Sequence, residues 1–187
     1  MDVDPDVSLK DAVAQFYSQH GFPGDGGIDA KRWSPVGCRD LKVYLPNFEW
    51  RRRALPFHDI HHVLTGYPFR PTGEFEMAAW EFAAGRYPNP FSTLFCLPLV
   101  SLGTCTIPRR SFSAFVRGKY SQTLYRGYSY AELLERRVAE VRAEILPPGP
   151  VIATPRHYFE YLALVVCSAS VIALPLIALI LALAETF

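Results

Sequence analysis

The sequence predicts a mainly α protein, in which a compact helical domain is followed by a single C-terminal transmembrane helix. Three observations support this fold class. The chain has 187 residues, half of them apolar, which suits one domain of ordinary size. Apolar residues recur at helical spacing in several segments. From residue 162 to residue 184 there is no charged side chain, and every Lys and Arg lies at or before Arg156.

Residues 1–54 are predicted to form an irregular N-terminal region with one short helix. Ser8 is a suitable N-terminal cap for that helix, and Gly21 is a suitable stop. A stretch rich in Gly, Pro and Asp follows, and the apolar run at 41–45 is a candidate for an extended segment.

Residues 55–150 are predicted to form a helical domain that carries the chemically interesting side chains. The apolar segment 87–110 contains several prolines, and it could be a buried helix or one pressed against a bilayer surface. Prolines 147, 148 and 150 form a stiff linker after the last helix. Helices are predicted at 56–66, at 74–84 with Thr72 as the cap, and at 129–146.

Residues 158–185 are predicted to form a transmembrane helix. Its uncharged stretch of 23 residues would extend about 34 Å as a helix, against about 30 Å of bilayer hydrocarbon. Pro175 is tolerated in membrane helices. The acidic N-terminus has no apolar signal segment, so we expect a single-pass protein with a C-terminal anchor and its domain on the cytoplasmic side. The alternative is a buried helix of a larger soluble core.

Charge and cysteine content exclude several classes of protein. A formal charge of +1 argues against a strongly basic nucleic-acid binder, so no nucleic-acid partner is expected. The four cysteines, at 38, 96, 105 and 167, form no CxxC pair. We therefore expect reduced thiols rather than a zinc knuckle or a disulfide framework.

The candidate functional residues lie between residues 56 and 74. In a helix, His58 and His62 are four residues apart and share one face, so their imidazoles could bind one metal ion. Asp59 lies about a quarter-turn away and could ligate from the side or orient a histidine. Glu74 begins the next predicted helix after a short turn. Without thiolate ligands, zinc, iron and manganese all remain open.

Two other interpretations of these residues stay open. His61 is only three residues from His58 and could compete as a ligand. A helix with surface histidines, and with Asp59 near its start, would explain the same pattern without a metal ion.

This segment resembles the HDxxH-x11-E metal motif of the coenzyme Q biosynthesis protein four family. The letters HDIHH, eleven further residues and Glu74 reproduce the motif. The similarity covers roughly residues 54–150, with its specific part at 58–81, and it includes neither the first 54 residues nor the C-terminal helix. The other positions that fit the family pattern are Leu64, Gly66, Gly73 and Glu81.

The resemblance implies a mainly helical, membrane-associated protein of ubiquinone biosynthesis. It implies a divalent metal, usually zinc, held by His58, Asp59, His62 and Glu74. The implied activity is that of a lyase, a decarboxylase that removes the C1 carboxylate of a polyprenyl hydroxybenzoate. The implied partners are a polyprenyl-quinone precursor or another isoprenoid lipid, the membrane, and other quinone-biosynthesis proteins.

Glu81 lies seven residues after Glu74, on roughly the same face of the predicted helix. It is a candidate catalytic acid–base residue or a group that orients a metal ligand, and a solvated helix position is the alternative. Two other functions remain open for the whole protein. One is a non-catalytic lipid-binding scaffold, and the other is an accessory subunit of a membrane redox or photosynthetic complex.

Overall fold

The computed structural model describes residues 3–24, 26, 33–36 and 43–184. It is mainly helical and ends in a long apolar helix, which confirms the predicted fold class. Two short strands pair antiparallel, with Trp33 opposite Pro46. The elements in chain order are α1 (Leu9–His20), β1 (Trp33–Val36), β2 (Val43–Pro46), α2 (Glu49–Thr65), α3 (Pro71–Ala84), α4 (Pro90–Thr106), α5 (Pro108–Gly118), α6 (Tyr130–Leu134), α7 (Val138–Ile145) and α8 (Pro155–Ala184).

The helices of the domain pack around one hydrophobic core. Phe16 of α1, Ile60 of α2 and Trp80 of α3 all belong to it, and each is fully or almost fully buried. The predicted domain boundary at residue 54 falls inside α2, and α1 packs in the same core as the later helices. The extended segment expected at 41–45 corresponds to β2, although residues 41 and 42 lie outside the described residues.

The first helix forms as the sequence predicts. The Ser8 hydroxyl accepts a hydrogen bond from the Asp11 backbone N–H at 3.1 Å. Gly21 ends the helix in the left-handed region, at φ 69°. A hydroxyl cap at the start and a glycine at the end satisfy backbone groups that the helix itself leaves unpaired.

The prediction that the second helix begins at Pro56 is wrong, because α2 already begins at Glu49. Proline has no N–H to donate and usually stops a helix, so the local rule favoured a later start. Packing overrides it here. The ring of Trp50 lies 6.5 Å from that of Phe91 and 5.8 Å from that of Phe95, both on α4, and these contacts hold the turns before Pro56.

The prediction that Thr72 caps the third helix is also wrong. Helix α3 begins at Pro71, with Arg70 in the capping position and no side chain accepting a bond there. Proline suits the first helical position because its missing N–H would be unpaired there in any case. The start at Pro71 adds one turn to the helix before Glu74.

The single helix predicted for 129–146 is divided into α6 and α7. The N-terminal segment forms hydrogen bonds with backbone groups of residues 136 and 138, which in a continuous helix would have bonded within that helix. The Leu9 N–H donates to the Arg136 carbonyl at 2.8 Å, and the Val138 N–H donates to the Val7 carbonyl at 3.0 Å. The apolar periodicity of this segment is that of one helix, but a strand-like contact with a distant part of the chain breaks it.

Helix α8 packs antiparallel against α4, and a serine hydroxyl joins them. Ser168 donates to the Leu97 carbonyl and accepts from the Ser101 N–H at 3.0 Å. Leu97 and Ser101 are four residues apart in α4, so the hydroxyl of α8 is inserted into the hydrogen-bond ladder of α4. The insertion lies beside Pro98, and a proline within a helix commonly opens such a gap.

Within the described residues, α8 is the one helix that is long and apolar enough to cross a membrane. Its mid-helix Pro175 is accommodated without ending the helix. Among the described residues, Cys96, Cys105 and Cys167 are free thiols, and Cys38 lies outside them.

Gly118 sets the distance between α3 and α5. A Cβ at this position would lie 2.4 Å from the Trp80 carbonyl oxygen and 2.7 Å from the Ala83 Cβ. Neither the Trp80 backbone nor the short Ala83 side chain can move away without shifting α3. We therefore expect Gly118→Ala to lower the free energy of unfolding by about 1–3 kcal/mol. Denaturant unfolding of the detergent-solubilised protein measures the change.

Gly149→Ala is the matched control for this prediction, since nothing lies within 4 Å of its ideal Cβ. We expect the control to change the unfolding free energy by less than about 0.5 kcal/mol. Equal stability of the two variants would contradict the tight α3–α5 contact.

Candidate metal centre

Helices α2 and α3 bring three potential ligands together. The Nε2 atom of His58 lies 3.2 Å from that of His62 and 3.2 Å from Oε2 of Glu74. Oε1 of Glu74 is 3.2 Å from His62 Nε2. Two ligand atoms bound tetrahedrally to zinc at about 2.0–2.1 Å would lie about 3.3–3.4 Å apart. The three side chains therefore have the spacing of ligands around one small ion, as the sequence predicts for them.

A tight turn between the helices determines where Glu74 lies. Gly66 ends α2, and α3 begins five residues later. A Cβ on Gly73 would lie 1.7 Å from the Pro68 carbonyl oxygen, so only glycine allows this close return of the chain. The turn thus places Glu74, in the first turn of α3, over the face of α2 that carries His58 and His62.

The far nitrogens of both histidines are fixed by oxygen acceptors. His62 Nδ1 lies 2.9 Å from the Tyr67 carbonyl oxygen, and His58 Nδ1 lies 3.1 Å from Oε1 of Glu81. A carbonyl and a carboxylate can only accept, so each Nδ1 carries the proton and donates it. This arrangement leaves Nε2 of both rings available to a metal, as in most histidine sites.

Glu81 is a buried anion that accepts four hydrogen bonds. Its side chain has no exposed surface. Burial opposes its ionisation, but the charge of His58 and the donors around the carboxylate hold its pKa well below the usual range. The donors are His58 at 3.1 Å and His61, Tyr87 and Tyr125 at 2.7 Å each. Of its two predicted roles, the geometry favours orienting a ligand, because Oε1 accepts from both His58 and His61, Oε2 accepts from Tyr87, and the carboxylate stays ionised.

His61 points away from the potential ligands. Its Nδ1 donates to Glu81, and its Nε2 accepts from the Leu124 backbone N–H at 2.9 Å. Burial lowers the pKa of this imidazole, which is consistent with a neutral ring. With both nitrogens engaged, His61 has no lone pair to offer a metal, and it serves instead to tie α2 to Glu81 and to the segment after α5.

Asp59 is buried on another side of α2. Its Oδ2 accepts from the Tyr17 hydroxyl at 2.9 Å, and burial raises its pKa to about 6. The atoms that lie within 4.8 Å of one another come from His58, His62 and Glu74, without Asp59. Of the four ligands implied by the family resemblance, the structure therefore gathers three around one point and joins the fourth to α1.

Two observations on the side chains indicate that the centre suits a metal ion. Oε1 of Glu74 is buried and, among the described residues, has no hydrogen-bond donor. A buried carboxylate oxygen without a donor is costly unless a cation satisfies it. The side chains of His58 and Glu74 are 18% and 27% exposed, so the centre opens on one side. Three protein ligands and one open side are typical of catalytic rather than structural zinc.

The charges around the centre determine its protonation state when no metal is bound. Burial disfavours the charged form of His58, but the carboxylates of Glu81 and Glu74 outweigh it and raise its pKa well above the usual value. Burial also disfavours ionised Glu74, but His62 and His58 lower its pKa to about 2. A positive charge is therefore strongly favoured between these carboxylates, as a proton on His58 or as a metal ion.

Aromatic rings form one wall of the centre. The ring of Phe16 stacks on that of His62 with centroids 6.0 Å apart, and Phe69 meets the same imidazole edge-on at 5.8 Å. These rings, and the tyrosines that donate to Glu81 and Asp59, were not predicted as site residues. Phe69 lies in the turn between α2 and α3, whereas the other rings lie in more distant segments that no spacing in the sequence links to the histidines.

Comparison with known proteins adds no relative. The chain matches no protein-family model, no curated protein and no solved structure. The resemblance carried by the HDIHH segment and Glu74 therefore stays a prediction.

Proposed function

We propose that this protein is a membrane-attached, metal-dependent protein of isoprenoid-quinone biosynthesis that removes the C1 carboxylate of a polyprenyl hydroxybenzoate. The observation that carries the proposal is the convergence of His58, His62 and Glu74, with both histidine Nε2 atoms directed at the centre and one side open. The motif resemblance supports the substrate class. The apolar helix α8 supports it independently, since a polyprenyl substrate dissolves in the bilayer.

The side chains of the centre have separate tasks in this proposal. A divalent ion, zinc first and iron or manganese as alternatives, would polarise a phenolate or carboxylate oxygen of the substrate when bound. Glu81 and the Tyr67 carbonyl hold the two imidazoles in orientation. Phe16 and Phe69 shield His62 from water, and the partly exposed Phe69 offers an apolar surface to a ring or a prenyl chain.

A direct assay of carboxylate loss tests this proposal. The full chain in lipid nanodiscs would be incubated with a polyprenyl hydroxybenzoate labelled with ¹³C in its carboxylate, and labelled CO₂ would be measured by mass spectrometry. Wild-type protein should release it, and His62→Ala should not. A wild-type protein that is loaded with metal but releases no CO₂ would contradict the proposed activity, while leaving the metal centre itself in place.

The scaffold alternative is favoured by one observation, the large apolar surface that α8 exposes. It predicts that isoprenoid lipid or partner proteins co-purify equally with wild type and with His62→Ala. Native mass spectrometry of both proteins separates the alternatives, because in the enzymatic proposal only the wild type converts the lipid that it binds.

Metal affinity is expected to increase with pH. The pKa of His58 is raised, so its protonated form persists to higher pH and must lose a proton before Nε2 can bind a metal. Below that pKa, the zinc dissociation constant should fall about tenfold per pH unit, with release of about one proton per ion. Competition with a chromophoric chelator between about pH 6 and pH 9 measures it, and an affinity independent of pH would contradict the charge arrangement described here.

A further inference from the structure

We propose that the outer side of α4 lies against an anionic lipid bilayer, beside α8. This surface, here called the α4 face, consists of four large apolar side chains. Phe91 is 64% exposed, Leu94 56%, Phe95 46% and Leu102 43%. Such a concentration of exposed apolar side chains on one helix marks a contact surface rather than a water-exposed one.

The α4 face continues the apolar surface of α8. The two helices run antiparallel, because Ser101 bonds with Ser168 at 2.7 Å whereas Thr104, one turn later, bonds with Tyr161 at 2.8 Å. In the same region α8 exposes Leu162 and Val166. If α8 enters a membrane, the neighbouring surface of α4 must meet the same lipid.

Charge around the α4 face fits anionic headgroups. Residues 87–108 contain no charged side chain, and no acidic residue occurs between Glu81 and Glu132. Arg109 is exposed directly after α4. Anionic lipids attract basic side chains that lie near the membrane surface. Arg110 pairs with Glu76, Lys119 pairs with Glu160, and Glu49, beside the Trp50 that packs on this face, pairs with Arg53. The exposed basic residues between Glu81 and Glu132 that could meet headgroups are therefore Arg86, Arg109 and Arg126.

Hydroxyl groups of α4 are satisfied within the protein, as a lipid environment requires. Thr104 donates to the Val100 carbonyl at 2.8 Å, and Thr106 to the Leu102 carbonyl at 2.7 Å. The ladder gap beside Pro98 is closed by the Ser168 hydroxyl, which bonds to both of its sides. Polar groups inside a bilayer need such internal partners, because hydrocarbon offers none.

The proposed orientation places the metal centre close to the membrane. Cys96 is on the inward side of α4, where it neighbours Tyr87, and the Tyr87 hydroxyl donates to Glu81. Packed helices are about 8–10 Å apart, so the centre would lie about one helix from lipid. This inference does not depend on the identity of the metal or of the reaction.

Site-specific photocrosslinking of the full chain tests the proposal. p-Benzoylphenylalanine would be introduced singly at Phe91, Phe95 or Leu102, and the protein reconstituted in vesicles of phosphatidylglycerol and phosphatidylcholine. Phe159, an exposed residue of α8, is the positive control, and exposed Ala143 of α7 is the negative control. After illumination, mass spectrometry should find lipid adducts at the three α4 positions and at 159, and none at 143.

Three results would overturn the proposal. The first is lipid adducts at 159 without any on α4, which would leave the α4 face in water. The second is crosslinked protein dimers at the α4 positions instead of lipid adducts, which would show a second copy covering the face. The third is no adduct at any of the four positions, since the continuity with α8 would then be lost. Replacing phosphatidylglycerol by phosphatidylcholine alone should lower the adduct yield on α4, and an unchanged yield would contradict the anionic preference.

Discussion

His62→Ala is expected to abolish metal binding. Protein purified in detergent, without chelators or a metal-affinity column, should carry about one divalent ion per chain, and the variant less than about a tenth of that. Loss of a group that only orients a ligand commonly weakens metal binding about 10–100-fold, and loss of the ligand itself weakens it more. Elemental mass spectrometry measures the content and also identifies the ion.

His20→Ala is the matched control for this experiment. His20 is an exposed histidine of α1 whose Nδ1 bonds to the Phe16 carbonyl at 2.8 Å, and it contributes no atom to the cluster of ligands. It should keep the full metal content. A folded wild type without metal, or equal loss of metal in both variants, would show that His58, His62 and Glu74 do not form a metal site.

Glu81→Ala is expected to have the largest effect on stability. The substitution removes a fully buried anion and leaves two imidazoles and two tyrosine hydroxyls without their acceptor. Breaking a buried charge network by removing one partner costs about 3–5 kcal/mol. The variant should also bind metal about 10–100-fold more weakly, because His58 loses the group that orients it. Denaturant unfolding and a zinc-binding titration measure the two effects.

Two further variants keep this prediction testable if Glu81→Ala fails to fold. Glu81→Gln preserves the volume but not the charge, and it should weaken metal binding while the protein remains folded. Glu140→Gln is the surface control, because Glu140 pairs with Arg137 on the exposed side of α7 and should not measurably affect stability. Metal affinity and stability in Glu81→Gln equal to those of wild type would contradict the orienting role of Glu81.

Much of the centre can be predicted from sequence because His58, His62 and Glu74 lie close together along the chain. His58 and His62 share a helix face by their spacing alone. Glu74 follows a short turn that leaves it few positions to occupy. The apolar length of α8 is also a property of one continuous segment, and composition alone predicts a helix that could cross a membrane.

Other features depend on partners that are distant in sequence. Helix α2 begins before Pro56 because Trp50 packs on α4, and the segment predicted as one helix is divided because Val7 and Leu9 take its backbone groups. Neither partner can be found from local periodicity.

Sequence by itself determined the helical class, the apolar C-terminal helix, and a set of four candidate ligands that contains His58, His62 and Glu74. Only the tertiary structure decided which hydrogen-bond partners the neighbouring side chains have, and therefore which of them can bind a metal ion. In the structure, both nitrogens of His61 form hydrogen bonds, Asp59 accepts a hydrogen bond from Tyr17, and Glu81 accepts hydrogen bonds from four donors. The physical reason is that helical spacing fixes which face a residue occupies, whereas its protonation and hydrogen bonds are fixed by whatever packs against that face.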